Sequence, residues 1–362
     1  MKVHPTPLKD MRRNLLGYRV EIVQDSFGES DVLAEVLKEN LGENGKVLLV
    51  ADSNVVSHTA ELGPKIGRYM NDHGLSIAGK AVVIPGGEKV KYENFSSAFT
   101  ILDTVVRRRL GEGDCILALG GGVVFDLVGW AAAQLGGIKV VRMPTTPAAM
   151  TGAAFATTSL LDRCGRKDVI SLPSVPAAVV IDVGFVQTVM EGVWRAGTGE
   201  IACLAILDKS ICKVFCEEAP RYTQRDYDAF ARMVEAVVEY RRKNKVEPIA
   251  EKLAVRLEEQ SDFRLPHGYA IPLSLMIEAS VMVEKGTVKE KAFIAVRDAL
   301  EECGSLGGLY HSRHILRRRE VLFGDLPDAE LYNRSVDALV EYASARYNAQ
   351  EAERTQGASP QG

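Results

Sequence analysis

Histidine is scarce in this chain: six in 362 residues, with His267 alone between His73 and His311. A metal centre built mainly of imidazoles is therefore excluded through the middle of the sequence. Cysteine offers no substitute. The six cysteines, at 115, 164, 203, 212, 216 and 303, lie mostly in apolar contexts without CxxC spacing, which reads as reduced core thiols rather than disulfides or a zinc knuckle. Cys212 and Cys216 fall one helical turn apart and read as core. No uninterrupted apolar stretch reaches membrane-spanning length, and MKVHPTPLKDMRRNLLGYRV lacks the apolar run of a secretion signal. The expected location is the cytoplasm. Charge of one sign is not in excess either: 44 basic residues face 48 acidic ones and are dispersed, which leaves no cationic field for nucleic acid or an anionic membrane.

What is present is a large apolar fraction, 46%, with 25% charged residues, enough for a sizeable core and two domains. Short β-rich runs at 46–51 (KVLLVA), 81–84, 115–119, 139–143 and 178–182 (AVVID) alternate with helical patterns, which implies a parallel sheet. From about residue 186 the strand signals vanish, and amphipathic stretches such as 226–243 and 269–284 take over. The expected organisation is an α/β, Rossmann-like nucleotide-binding domain over 1–185, an all-helical metal and substrate domain over 186–347, and a disordered polar tail over 348–362.

The most specific segment is ILALGGGVVFDLVGWAAAQLGGIKVVRMPTT at 116–146. An apolar strand meets Gly120-Gly121-Gly122, a helix carries Asp126, and a second strand ends in Thr145-Thr146. Bare backbone amides at a helix N-terminus suit a pyrophosphate. Other polar residues gather where the remaining strands end, and ligand sites of such sheets form there, so the cleft between the domains is the expected site. Asp52-Ser53-Asn54 follows the first strand, and the acid reads either as a ribose acceptor or as a helix cap. Pro85-Gly86-Gly87-Glu88-Lys89-Val90-Lys91 presents a carboxylate and an ammonium three residues apart, a ligand-facing turn or a solvated one.

Together these segments resemble the dehydroquinate synthase family of sugar phosphate cyclases, in order from about residue 46 to residue 285. The likeness is carried by GGEKVK at 86–91, GGGVVFD at 120–126, Pro144-Thr145-Thr146, Lys167-Asp168, Asp182 with Phe185-Val186-Gln187-Thr188, Ala196-Gly197-Thr198-Gly199-Glu200 and Leu265-Pro266-His267-Gly268. The resemblance implies a carbon–oxygen lyase that closes a phosphorylated keto-sugar into a carbocycle with catalytic NAD and a divalent metal. It assigns NAD to Asp52, Asn54, Gly86, Glu88, Lys91, Gly120, Gly121, Gly122, Asp126, Thr145, Thr146, Lys167, Asp182, Phe185 and Thr188. Phe125 departs from the family glycine and is expected to place a ring near the pyrophosphate turn. A homodimer is implied by the same resemblance.

The metal and substrate sides depart further. Glu200 and His267 match two family ligands, whereas the segment that supplies the middle histidine aligns Glu251 with it. A Glu200/Glu251/His267 set favours Mn²⁺, Mg²⁺ or Co²⁺ over zinc, and Glu251 as a plain helix residue is the alternative. His311 and His314 form a second candidate pair, set against a solvated basic helix. In the loop after Thr146, family positions for a lysine, an aspartate and two asparagines are exchanged, with Asp162 and Asp168 among the replacements. Phosphate is left to Lys167, Arg163 and Arg166, the expected catalytic cations. The implied substrate is a related or less charged polyhydroxy compound, or a sugar phosphate other than the usual one. Two further readings stay open: a catalytically degenerate NAD-binding relative, and a metal-dependent polyol dehydrogenase of the glycerol dehydrogenase type.

Overall fold

The computed structural model describes residues 15–92, 95–246, 249–307, 309 and 312–357. Seven strands form one parallel sheet in the order β1 (Arg19–Val23), β9 (Ala178–Asp182), β6 (Lys139–Pro144), β5 (Cys115–Gly120), β2 (Lys46–Asp52) and β3 (Ser76–Ile77), with β4 (Val82–Ile84) also on β2. Every residue of β5 and of β9 is buried, as continuous apolar runs covered on both faces require. The five expected runs are all strands. β1 was not expected, because Arg19 and Glu21 interrupt it; at this edge of the sheet the two charges satisfy each other, Arg19 Nε donating to Glu21 at 2.7 Å.

The register aligns the carboxyl ends. Asp52 pairs with Ile84, Gly120 with Pro144, and Val23 with Asp182, so the polar residues that follow these strands share one edge. From β2 the chain runs outward to β3 and β4, then returns to β2's other side at β5. The crevice between β2 and β5 is thus the point where strand order reverses, the usual place for a ligand.

After β6 the chain adds a separate antiparallel hairpin, β7 (Thr158–Arg163) and β8 (Arg166–Pro173), where the sequence reading placed only a substrate loop. Cys164 and Gly165 both have positive φ, 53° and 70°, as a two-residue turn that matches strand twist demands. Arg142 anchors the segments flanking this hairpin. Buried at 1% exposure, it donates to the carbonyls of Ala154, Ala156 and Ser174.

From Val183 onward the described chain is helical. Trp194 is buried in the core of this half: its ring stacks on Tyr222 with centroids 4.1 Å apart, and its Nε1 donates to the Tyr222 carbonyl at 3.0 Å. Replacement of so large a buried ring by alanine costs about 3–5 kcal/mol in typical cores. The last helix, Ala329–Gly357, corrects the expectation of a disordered tail from Asn348; alanine, glutamine, glutamate and arginine dominate 348–355, and their helix propensity carries the helix through. Residues 358–362 lie outside the described residues.

No helix among the described residues is long and apolar enough to cross a membrane. The cysteines are free; Cys115, Cys203 and Cys303 are buried, while Cys212 and Cys216 are half-buried with their sulfurs 4.0 Å apart. Cys164 is exposed at the hairpin turn, apart from the core reading given to most of the thiols.

Candidate active site

The helix Gly122–Ala133 starts directly from β5, capped at Gly121 by backbone alone, so its first amides are open to a ligand at the strand-order switch. Asp52 lies beside this turn. Its carboxylate accepts the Asn54 amide at 2.8 Å and caps the short helix Ser53–His58, so the helix-cap reading holds geometrically while the group still borders the crevice. Gly86 packs directly on it: a Cβ there would fall 2.6 Å from both carboxylate oxygens. Burial raises the proton affinity of Asp52 above the ordinary aspartate value, only partly countered by Asn54.

Phe125 does not face the turn. It is 2% exposed and packs beneath Arg142, whose guanidinium carbon is 5.5 Å from the ring centre. Three residues into the helix the ring lies against Arg142 of β6, which corrects the expectation of a ring near the pyrophosphate turn. Thr146 caps the helix Pro147–Thr151 through the Ala149 amide, and Thr145 is buried with its hydroxyl unpaired.

The next turn contributes Glu88 and Lys91, brought onto Asp126 and the hairpin. Lys91 is buried; its Nζ is 2.9 Å from Asp126, 3.7 Å from Asp168 and 3.9 Å from Glu88. Burial opposes the lysine charge, but Asp126, Glu88, Asp162 and Asp168 outweigh it and hold the proton more tightly than on a free lysine. Burial likewise works against ionised Glu88, yet Lys91, Lys167 and His267 pull its pKa down to about 2.

Lys167 meets the helical half. Its Nζ donates to Glu258 at 2.6 Å and lies 3.6 Å from Glu88, and the other Glu258 oxygen accepts from His267 Nδ1 at 2.8 Å. A carboxylate can only accept, so Nδ1 carries the proton and Nε2 is left for a ligand. Burial lowers and Glu258 raises the proton affinity of His267, and Glu258 prevails. His267 and Glu88 keep 34% and 32% of their side-chain surface accessible despite this desolvation, so they line an internal crevice rather than solid core.

Glu258 is a site residue that the sequence reading missed. A glutamate two residues after an arginine on an amphipathic helix carries no sign of being 2% exposed.

Glu200 is half-buried and Glu251 is exposed, near enough for each to feel the other's charge. Desolvation by the surrounding protein and the charge of Glu200 raise the proton affinity of Glu251, with His267 acting in the opposite direction. Gly152 makes room for Glu200, since a Cβ there would be 2.4 Å from its carboxyl carbon. Arg241, stacked on Phe155 with its guanidinium carbon 5.0 Å from the ring centre, approaches Glu200 at 4.0 Å. By donor type alone, two carboxylates and an imidazole oriented by a third carboxylate suit a divalent cation. The side chains nevertheless do not form a closed set, for among the described residues no three His, Cys, Asp or Glu groups are placed to hold a metal ion.

Arg163 and Arg166 do not join the site. Both are exposed on the hairpin; Arg163 lies over the Phe95 ring, its guanidinium carbon 5.2 Å from the centre, and Arg166 pairs with Glu259 at 3.1 Å. The tight turn at Cys164-Gly165 turns these two arginines away from the crevice while Lys167, one residue on, points in. His311 lies outside the described residues, and His314 is exposed.

Asp182, Phe185 and Thr188 sit apart, around a cavity of about 730 Å³ that Phe27, Leu62 and Tyr227 also line. Both Asp182 oxygens are engaged, one by the Ser26 amide and hydroxyl and the other by the Gly184 amide, so Asp182 shapes the cavity wall. The cavity is roomy enough for a substantial part of a dinucleotide.

Residues 81–196 match the family model of the 3-dehydroquinate synthase N-terminal region. A 3-dehydroquinate synthase of Rhizobium leguminosarum bv. trifolii is 35% identical over 134 residues, which is 37% of this chain and 35% of that protein. The chain matches such curated relatives over about a third to a half of their length. ValA, a 2-epi-5-epi-valiolone synthase from Streptomyces hygroscopicus subsp. jinggangensis with bound NAD⁺ and Zn²⁺, superposes with TM-score 0.67 at 19% identity over 90% of this chain and 87% of that one. A 2-deoxy-scyllo-inosose synthase complexed with carbaglucose-6-phosphate, NAD⁺ and Co²⁺ gives TM-score 0.68 at 14% identity, covering 88% of this chain and 96% of the other. At these identities the likeness establishes a shared fold.

Proposed function

Because this chain is dehydroquinate synthase-like, we propose that it is a carbon–oxygen lyase of the cyclase type, working on a small polyhydroxy substrate with NAD and a divalent metal. The observation that carries this reading is the Lys167–Glu258–His267 connection, which sets a buried ammonium from the nucleotide-binding half against an oriented imidazole from the helical half.

In this reading the open amides of Gly121 and Gly122 bind the pyrophosphate, and the 730 Å³ cavity takes the adenosine end. Glu200, Glu251 and His267, which are not gathered into a metal-binding group here, would have to draw together to hold the metal. When bound, NAD would supply reversible hydride transfer at the carbon bearing a substrate hydroxyl, and a divalent metal would polarise that hydroxyl so that its proton leaves more readily. The chain's own residues then do the remaining work. Lys167, kept charged by Glu258 and Glu88, orients substrate oxygens by donating hydrogen bonds. Glu258 holds the His267 ring in one tautomer. Burial of the Lys91 and Lys167 ammoniums beside Glu88 and Asp126 strengthens each of these contacts.

A second reading, nucleotide binding without turnover, is favoured by one observation: Arg241 supplies a fixed cation beside Glu200. Bound nucleotide and metal, measured by mass spectrometry and elemental analysis on the wild type, His267→Ala and Glu251→Ala, separate the two. NAD with a metal that both substitutions remove is the expected result. NAD without metal, even after reloading, would leave the second reading standing.

A further inference from the structure

A second cavity, of about 470 Å³, is walled by Ser261, Arg264, Leu265 and Pro266, from the loop that joins Glu258 to His267. None of the crevice residues described above lines it. Its charged wall is basic: Arg195, Arg264 and His314 line it, and no carboxylate among the described residues does. The two arginines keep donors in hand. Arg195 gives only Nε to Glu191, at 2.7 Å, whereas Arg264 gives Nε to the Ser261 carbonyl at 3.1 Å and one terminal nitrogen to Asp262 at 3.3 Å. Their other three terminal nitrogens make no hydrogen bond among the described residues. Glu191 also serves Arg225, at 3.2 Å, so one carboxylate answers two guanidiniums. Both arginine pairs are exposed, where ion pairs are worth little and give way to a more highly charged acceptor.

Ser312 is the second sign of a ligand. It is 2% exposed and lines the cavity, and its hydroxyl makes no hydrogen bond among the described residues. A buried hydroxyl without a partner is costly, and the cavity is where an acceptor can be supplied. The wall carrying Arg195 is held in place. Gly304, at φ 71°, lets the chain pass so close that a Cβ would fall 3.1 Å from the Arg195 Cδ, and the Ser305 hydroxyl donates to the Arg195 carbonyl at 2.5 Å.

We propose that this cavity is a second anion site, separate from the substrate crevice, and that it takes the phosphate group of a small monoester or of inorganic phosphate. Its donors come from three stretches of chain, at 195, 264 and 312–314, a spread that suits a tetrahedral anion better than a planar carboxylate. The volume lies in the range of small-molecule sites and leaves room for an organic remainder beside the phosphate. The anion also bears on the crevice. Arg264 holds the Ser261 carbonyl, and the Ser261 hydroxyl donates to the Glu258 carbonyl at 2.7 Å and accepts the Leu265 amide at 3.0 Å, so occupancy stiffens the turn that sets Glu258 and His267. The site stands on its own geometry, whatever the crevice binds.

Inorganic phosphate, D-glucitol 6-phosphate and malonate, titrated calorimetrically into the full chain at neutral pH and fixed ionic strength, test this. Both phosphates are expected to bind saturably, and malonate at least about fivefold more weakly than either. The monoester binding more tightly would identify an organic phosphate as the occupant and the reverse order the free ion; both support the site. Arg264→Gln should weaken inorganic phosphate about tenfold and Ser312→Ala about threefold. Lys167→Gln, in the crevice, and Arg163→Gln, an exposed arginine on the hairpin, should each change it less than twofold. Urea midpoints show that each variant is folded. Affinity kept in Arg264→Gln but lost in Lys167→Gln would put the ion in the crevice and overturn the proposal. Equal losses in Arg163→Gln and Arg264→Gln, which mark general surface attraction, would overturn it too, as would malonate binding as tightly as phosphate or no saturable phosphate binding.

Discussion

Glu258 accepts hydrogen bonds from Lys167 at 2.6 Å and from His267 at 2.8 Å, so one buried carboxylate ties the β7–β8 hairpin to the start of the His267–Glu284 helix. Removing it strands a buried ammonium and an imidazole at once. Glu258→Ala is expected to lower unfolding free energy by about 3–5 kcal/mol, as when one partner of a buried ion pair is deleted. Glu258→Gln, which can still accept one bond, should lose less. Urea denaturation of the three proteins checks the order; an unchanged midpoint in the alanine variant would show that the connection does not hold the halves together.

Gly152 tests the metal side without touching a ligand. The alanine Cβ would sit 2.4 Å from the Glu200 carboxyl carbon and force that side chain to move. Gly152→Ala should weaken binding of Mn²⁺ or Co²⁺ by more than tenfold while NAD affinity changes less than twofold. Equal metal affinity in variant and wild type would remove Glu200 from the ligand set.

Acid stability carries a signature of Glu88. Its pKa falls from the ordinary 4.5 to about 2 in the folded chain, so its contribution to stability is complete above pH 4.5 and is lost as pH falls toward 2. Glu88→Gln should flatten the acid limb of a plot of urea midpoint against pH within that window. The same slope in both proteins would place Glu88 in ordinary solvent.

Arg163 and Arg166 were expected to bind phosphate and instead face outward. Arg163→Ala and Arg166→Ala should each change ligand affinity less than twofold, and stability by no more than about 0.5 kcal/mol, in keeping with exposed positions. A tenfold loss of affinity in either would return these residues to the site.

The sheet was readable because its central strands are continuous apolar runs, and the nucleotide turn because three glycines join a strand to a helix. Lys91 and Asp126 were readable only as members of a pattern; nothing local says that they meet at 2.9 Å. The hairpin was hidden by its turn. Cys164-Gly165 lacks the usual Asn-Gly signal, and without it the inward Lys167 could not be told from its outward neighbours Arg163 and Arg166. Glu258 was illegible for a different reason: its partners lie 91 and 9 residues away, and only tertiary packing makes a helix glutamate a buried acceptor.

Hydrogen–deuterium exchange with and without NAD tests the central claim, that the crevice at the β2/β5 switch is a nucleotide site. The account predicts protection of 86–92, 120–126 and 145–151, together with 183–188 around the cavity, and little change in the Ala329–Gly357 helix. Unaltered exchange in these segments at saturating NAD, or protection confined to the helical half, would contradict it.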